Sequence, residues 1–168
     1  PLCENLVDYL KCFDIPLRIL QYAETLERCA FDLVCRLAGQ GYVYAELRFA
    51  PASHCAKGLT QQQAVGAVLR GIRAARARHP GIDIGLLLCF MVGGDADHEA
   101  TLNAARQYLG QGVVGVDMAG AEGMVPMEQY RPLFARAKAE GIPFTIHAGE
   151  CGSWENILTA LSFGARRI

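Results

Sequence analysis

The chain has 168 residues, 52% hydrophobic and 20% charged, with a net charge of −1. This is an ordinary globular balance, long enough for one domain with its own core. Such a charge implies no basic footprint for nucleic acid, and no apolar run approaches the roughly 20 residues needed to cross a bilayer. The seven cysteines are odd in number and never spaced C-x-x-C. That excludes a disulfide framework or a zinc ribbon and predicts reduced thiols, mostly buried, in a cytoplasmic protein.

In chain order, helical patterns fall at Glu4–Phe13, Leu17–Leu37, Thr60–His79, Asp97–Leu109, Met127–Glu140 and Ser153–Phe163. In the second, Leu26, Ala30, Leu33, Val34 and Leu37 form one apolar stripe. Thr60 with Gln63 is a capping-box pattern, and Pro80-Gly81 stops that helix. Gly110, Gly141 and Gly164 sit where helices should end. Between these lie short apolar runs at Tyr42–Phe49, Ile82–Met91, Val113–Met118 and Pro143–Ile146. They are continuous rather than alternating, as strands of a parallel sheet buried on both faces should be. Strand and helix alternate, so the pattern predicts right-handed βαβ units in a single domain over 1–168.

Two architectures accommodate that order, a doubly wound sheet and a (β/α)8 barrel; a whole barrel takes about 250 residues, so the chain could supply about half of one. In both, active residues gather at the carboxyl ends of the strands. Glu46 and Arg48 lie two apart on one face of the first strand and read as a structural ion pair. The second strand ends in the apolar Cys89-Phe90-Met91, either core or pocket wall. The third closes on Asp117-Met118-Ala119-Gly120-Ala121-Glu122, an acid followed by a glycine that lets a ligand approach the backbone. The fourth ends Thr145-Ile146-His147-Ala148-Gly149-Glu150. Spacing alone leaves His147 either a hydrogen-bonded structural residue or a metal ligand, with Glu150 a carboxylate that could move protons beside a metal. Gly110-Gln111-Gly112-Val113-Val114-Gly115 matches a dinucleotide fingerprint by letter, but it runs from helix into strand, the wrong order for that function. Cys151 is rejected as a nucleophile, and His54, His79 and His98 read as solvated residues of loops and helix ends.

Taken together, Tyr44–Pro51, Gly115–Glu122 and Thr145–Glu150 resemble the adenosine deaminase family, in the family's order and at about its spacing. The resemblance covers essentially the whole chain and implies a partial TIM (β/α)8 barrel, roughly units two to five. It implies zinc-dependent conversion of a purine nucleoside, adenosine, to inosine and ammonia. In that reading His147 is a zinc ligand and Glu150 protonates the purine N1 as activated water attacks C6. Gly120 contacts substrate through its backbone, Met91 lines the base pocket and Asp117 is a buried acid nearby. The family's His-x-His pair, a further His and an Asp pair lie outside this chain. Ala121 stands where many members have Asp, and Val92 where many have Arg, which leaves adenine, AMP or a modified adenosine as alternative substrates. A catalytically inactive half-barrel is a further alternative.

Half a barrel would expose two sheet edges. The isolated chain is therefore expected to self-associate, and a clean monomer in sedimentation would contradict this. With one histidine ligand it is also expected to hold zinc weakly on its own.

Overall fold

The computed structural model describes residues 3–93, 97–150 and 153–168. Three parallel strands, β1 (Tyr44–Phe49), β2 (Asp83–Val92) and β3 (Val113–Gly120), form an open sheet in that order. The helices are α1 (Leu6–Lys11), α2 (Asp14–Ile19), α3 (Ala23–Gly39), α4 (Gln61–Arg78), α5 (His98–Tyr108), α6 (Arg131–Ala139) and α7 (Glu155–Phe163). From α3 onward, helices alternate with strands, giving a segment of a (β/α)8 barrel. Residues 84–90 of β2 are buried without a break, as a continuous apolar run in a parallel sheet covered on both faces requires.

The expected fourth strand is reduced to a single bridge between Val116 and Phe144. It is nonetheless in register with β3. Val116 N–H donates to the Pro143 carbonyl at 2.9 Å, Thr145 N–H to Val116 at 3.1 Å and His147 N–H to Met118 at 2.9 Å. Pro143 has no N–H to give a ladder, which suits it to the first position of the run. The approach also explains Gly115: a Cβ there would stand 2.5 Å from the Pro143 oxygen. The letter match to a dinucleotide fingerprint is thus met by strand packing, with Gly112 and Gly115 in β3 and the turn before it.

Thr60 caps α4 as expected. Its hydroxyl accepts from Gln63 N–H at 3.2 Å, and the Gln63 side chain returns the bond to Thr60 N–H at 2.9 Å. Two expected helices are interrupted. The one read over Leu17–Leu37 breaks between α2 and α3, where Gln21 turns inward. Its amide donates to the carbonyls of Leu17 (2.7 Å) and Ser53 (2.8 Å) and accepts from Ala56 N–H (2.9 Å). The one read over Met127–Glu140 begins as a 3-10 turn, Met127–Tyr130. The α-helical part starts beside Pro132, a residue suited to a first turn. In α3, Leu26, Ala30 and Val34 are buried, but Leu33 is exposed, so the stripe is narrower than expected.

The cysteines are less buried than expected. Cys3, Cys12 and Cys29 are exposed, Cys35 and Cys55 intermediate, and Cys89 buried, while Cys151 lies outside the described residues. Each exposed one stands on or beside α1 or α3, whose outward faces meet solvent. No described helix is long and apolar enough to cross a membrane.

His54 corrects a reading as a solvated residue. It is buried in the turn after β1, its Nδ1 2.6 Å from the Leu20 carbonyl and its ring against Phe49. Burial pushes its pKa below the ordinary 6.5, against a smaller upward effect of the Leu20 bond. The native state therefore binds that proton less readily than the unfolded chain, and stability is lost as pH falls through about 6.5 toward the lower native value. Thermal melts at falling pH should show this loss. His54→Phe should flatten that part of the profile, and an unchanged slope would contradict the assignment.

Candidate active site

Every predicted site residue lies at the carboxyl end of the sheet. Asp117, in β3, is wholly buried, and its carboxylate serves two neighbours. Arg48 Nη1 of β1 lies 2.8 Å from Oδ2, and His147 Nδ1 lies 3.1–3.2 Å from both oxygens. The Met118 carbonyl is a further 3.1 Å acceptor for Nδ1. All of these partners accept, so Nδ1 carries the hydrogen and Nε2 presents its lone pair. Arg48 Nη1 lies 3.4 Å from that Nε2. The hydrogen bond to Asp117 raises the His147 pKa above its ordinary value. Partial burial opposes this, the Asp117 charge adds to it, Arg48 works against it and Glu150 adds a smaller upward effect.

The expected pairing of Glu46 with Arg48 does not form. Glu46 is bonded instead by Arg167 Nη2 at 2.6 Å and by the Tyr44 hydroxyl at 2.8 Å. Burial raises the Glu46 pKa, but these bonds and the nearby Arg167 and Arg48 charges outweigh it and leave the carboxyl below its ordinary range. The two charges do share a face, as period-two geometry requires. Arg48 finds its partner across the sheet in Asp117, and Glu46 finds its charged partner in Arg167, beyond α7.

Gly120 and His147 line one cleft, together with Val92, Met118, Tyr130 and Asn156. Gly120 has φ +116° at the end of β3, and a Cβ there would stand 3.0 Å from Val92 N and 3.3 Å from Met91 Cε. A side chain there would press on the β2 backbone, so the close approach of the two strand ends favours glycine. The Met91 side chain reaches the same spot. Glu150 is exposed three residues beyond His147, and its charge reaches the imidazole. A larger cavity of about 490 Å3 lies between α5 and α6, bounded by His98, Tyr130 and Arg136 among others; none of the predicted site residues lines it.

Two residues given no role at the level of sequence belong to this site. Glu122 accepts hydrogen bonds from the backbone of Gly149 and Glu150 and from the Asn156 side chain. The only sequence signal for Glu122 was its place in the segment Gly115–Glu122, and Asn156 had none beyond its helix.

A sequence profile of the adenosine deaminase family matches residues 3–168. The chain belongs to the adenosine deaminase family. It is 43% identical to a protein named adenosine deaminase from Haemophilus ducreyi, over 99% of this chain and 50% of that one. The chain thus spans about half the length of such relatives. Among solved structures it superposes on Arabidopsis ADAL complexed with GMP with a TM-score of 0.85 at 25% identity, covering 98% of this chain and 50% of the other. A zinc-bound amidohydrolase from Burkholderia ambifaria gives 0.79 at 25% identity, over 86% and 41%. The deaminase-family chain therefore matches its neighbours in fold as well as in sequence.

One imidazole fits a metal ion here. His147 has its Nδ1 held by a carboxylate and a carbonyl, the outer arrangement that orients histidine ligands. Among the described residues, no group of three or more His, Cys, Asp or Glu side chains is placed to hold a metal.

Proposed function

We propose that this chain is the central part of a zinc-dependent adenosine deaminase, a single incomplete barrel domain that converts adenosine to inosine and ammonia. The observation that supports this reading most is the His147 imidazole, held through Nδ1 by Asp117 and Met118, in a cleft wall shared with Gly120 and followed by Glu150. His147 would hold the metal. A zinc ion bound there supplies Lewis acidity, drawing the pKa of water toward neutrality.

The remaining steps belong to the chain's own groups. Asp117 keeps the imidazole in one tautomer and one orientation. The purine lies against the Gly120 backbone with Met91 along the base. Glu150 carries a proton to purine N1, which removes aromatic stabilisation at C6 and opens that carbon to attack by water. Ammonia then leaves from the tetrahedral carbon.

A related purine as substrate is the second reading, favoured by the likeness to ADAL complexed with GMP, a nucleotide. Against AMP stands the lining of the cleft, whose described residues include no lysine or arginine. The same reading takes the protein as cytoplasmic, with a small-molecule purine as its partner and neither nucleic acid nor membrane. Self-association through the exposed edge of β1, where Tyr42, Val43 and Tyr44 meet solvent, is part of the same reading.

The test is ammonia release from adenosine, AMP and adenine in parallel, with zinc and with chelator, on the full-length polypeptide that carries this sequence. Preference for adenosine with loss of activity in chelator is expected. No release from any of the three would end the proposal.

A further inference from the structure

The Glu122 carboxylate is held on both oxygens by the segment that follows His147. Oε1 accepts from Gly149 N–H at 2.8 Å and from Asn156 Nδ2 at 2.9 Å, and Oε2 accepts from Glu150 N–H at 2.7 Å. Gly149 has φ +75°, and a Cβ there would stand 2.7 Å from Ile157 Cδ1. The turn is therefore left-handed and closed against α7. Two successive amides converging on one anion form the concave backbone cradle that elsewhere binds phosphate; here the protein's own side chain fills it. Glu122 follows β3 and Asn156 sits in the first turn of α7, so one carboxylate joins the ends of two strands to the next helix.

Solvation alone does not require this arrangement. Gly149 and Glu150 are exposed, so water could satisfy both amides, and no buried donor would be stranded without Glu122. What the carboxylate adds is order. With the Glu150 N–H anchored and Gly149 confined to one backbone region, the Glu150 side chain leaves the backbone from a fixed point in a fixed direction. Bonds from N–H to an ionised acceptor are roughly twice as strong as neutral ones.

We propose that Glu122 is the positioning residue that aims the Glu150 carboxyl in the deamination reaction, an inference that rests on the deaminase reading above. Glu122 lies on the wall of the same cleft as Gly120 and His147, and it acts through the backbone of residues 149 and 150.

Glu122→Gln keeps the shape but turns one acceptor into an N–H2 facing a donor. In this chain, amide exchange at Gly149 and Glu150 should quicken by about ten- to a hundredfold, the range commanded by hydrogen bonds to a charged group. Exchange at Val116 and Met118 in β3 should stay unchanged. In the full-length enzyme, kcat for adenosine should fall by about tenfold or more, with KM within about twofold, the pattern of a lost transition-state interaction. Asn156→Ala removes one donor while leaving both amides held, and should have a smaller effect on both measurements. Should Glu122→Gln fail to fold, Glu122→Asp, which keeps the charge but shortens the reach, is read by the same two measurements. Unchanged exchange would overturn the proposal, and so would faster exchange with unchanged kcat. If the unmodified enzyme released no ammonia, the deaminase reading would fail and take the aiming role with it. The exchange measurement would then show separately whether Glu122 orders the loop.

Discussion

Replacing Glu150 with Gln is expected to lower the rate of adenosine deamination by about a hundred- to ten-thousandfold, the range a positioned general acid commands. The side chain is exposed, and the backbone N–H is held by Glu122. The substitution keeps the shape and the backbone bond and removes only the transferable proton. The melting temperature should therefore stay where it was, and so should zinc content, since His147 is untouched. A rate within a few-fold of the unmodified protein would remove Glu150 from the chemistry and leave it a loop residue. Loss of fold together with activity would show that its carboxyl has a structural part the geometry does not reveal.

The largest stability loss is expected at Phe134. This side chain, in α6, is fully buried, with its ring 5.9 Å from Phe90, 4.8 Å from Phe144 and 5.6 Å from Phe163. It therefore links β2, the fourth sheet position and α7 in one aromatic cluster. Truncation to Ala forfeits the transfer energy of the ring and leaves a void that its neighbours can only partly fill. The cost should be about 3–5 kcal/mol. Against a total stability of about 5–15 kcal/mol, that is enough to leave a large unfolded fraction at 37 °C. Urea unfolding followed by circular dichroism should show the midpoint falling sharply for Phe134→Ala and much less for Phe134→Leu. Equal midpoints for the unmodified protein and the Ala variant would mean that the cluster is not packed as described.

The parts of the fold legible from sequence were those governed by local rules. Residues 84–90 read as a buried parallel strand because nothing polar interrupts them. The α4 start was set by two residues three apart, Thr60 and Gln63. His147 stood out because an imidazole directly after a β-branched apolar run needs an explanation of some kind. The features that escaped are those whose partners are far apart in the chain. Glu46 and Arg48 looked like a pair because they are two residues apart. Their actual partners, Arg167 and Asp117, are 121 and 69 residues away, and no periodicity carries that information. The break at Gln21 was hidden for the same reason: a glutamine within a helical pattern is unremarkable until Ser53 and Ala56 are known to lie beside it. His54 read as solvated because a loop histidine usually is, and only the packing of Leu20 and Phe49 over it makes it internal.

Asp117 has a consequence for how this region can change. A guanidinium from β1 and an imidazole from the fourth strand position converge on one shielded carboxylate, so positions 48, 117 and 147 form a single locus. A substitution at one alters what the other two require, and the combined effect of paired changes there should depart from the sum of the separate ones. Tolerated sequences should therefore differ at these three sites together, and libraries that vary them singly would find few functional members.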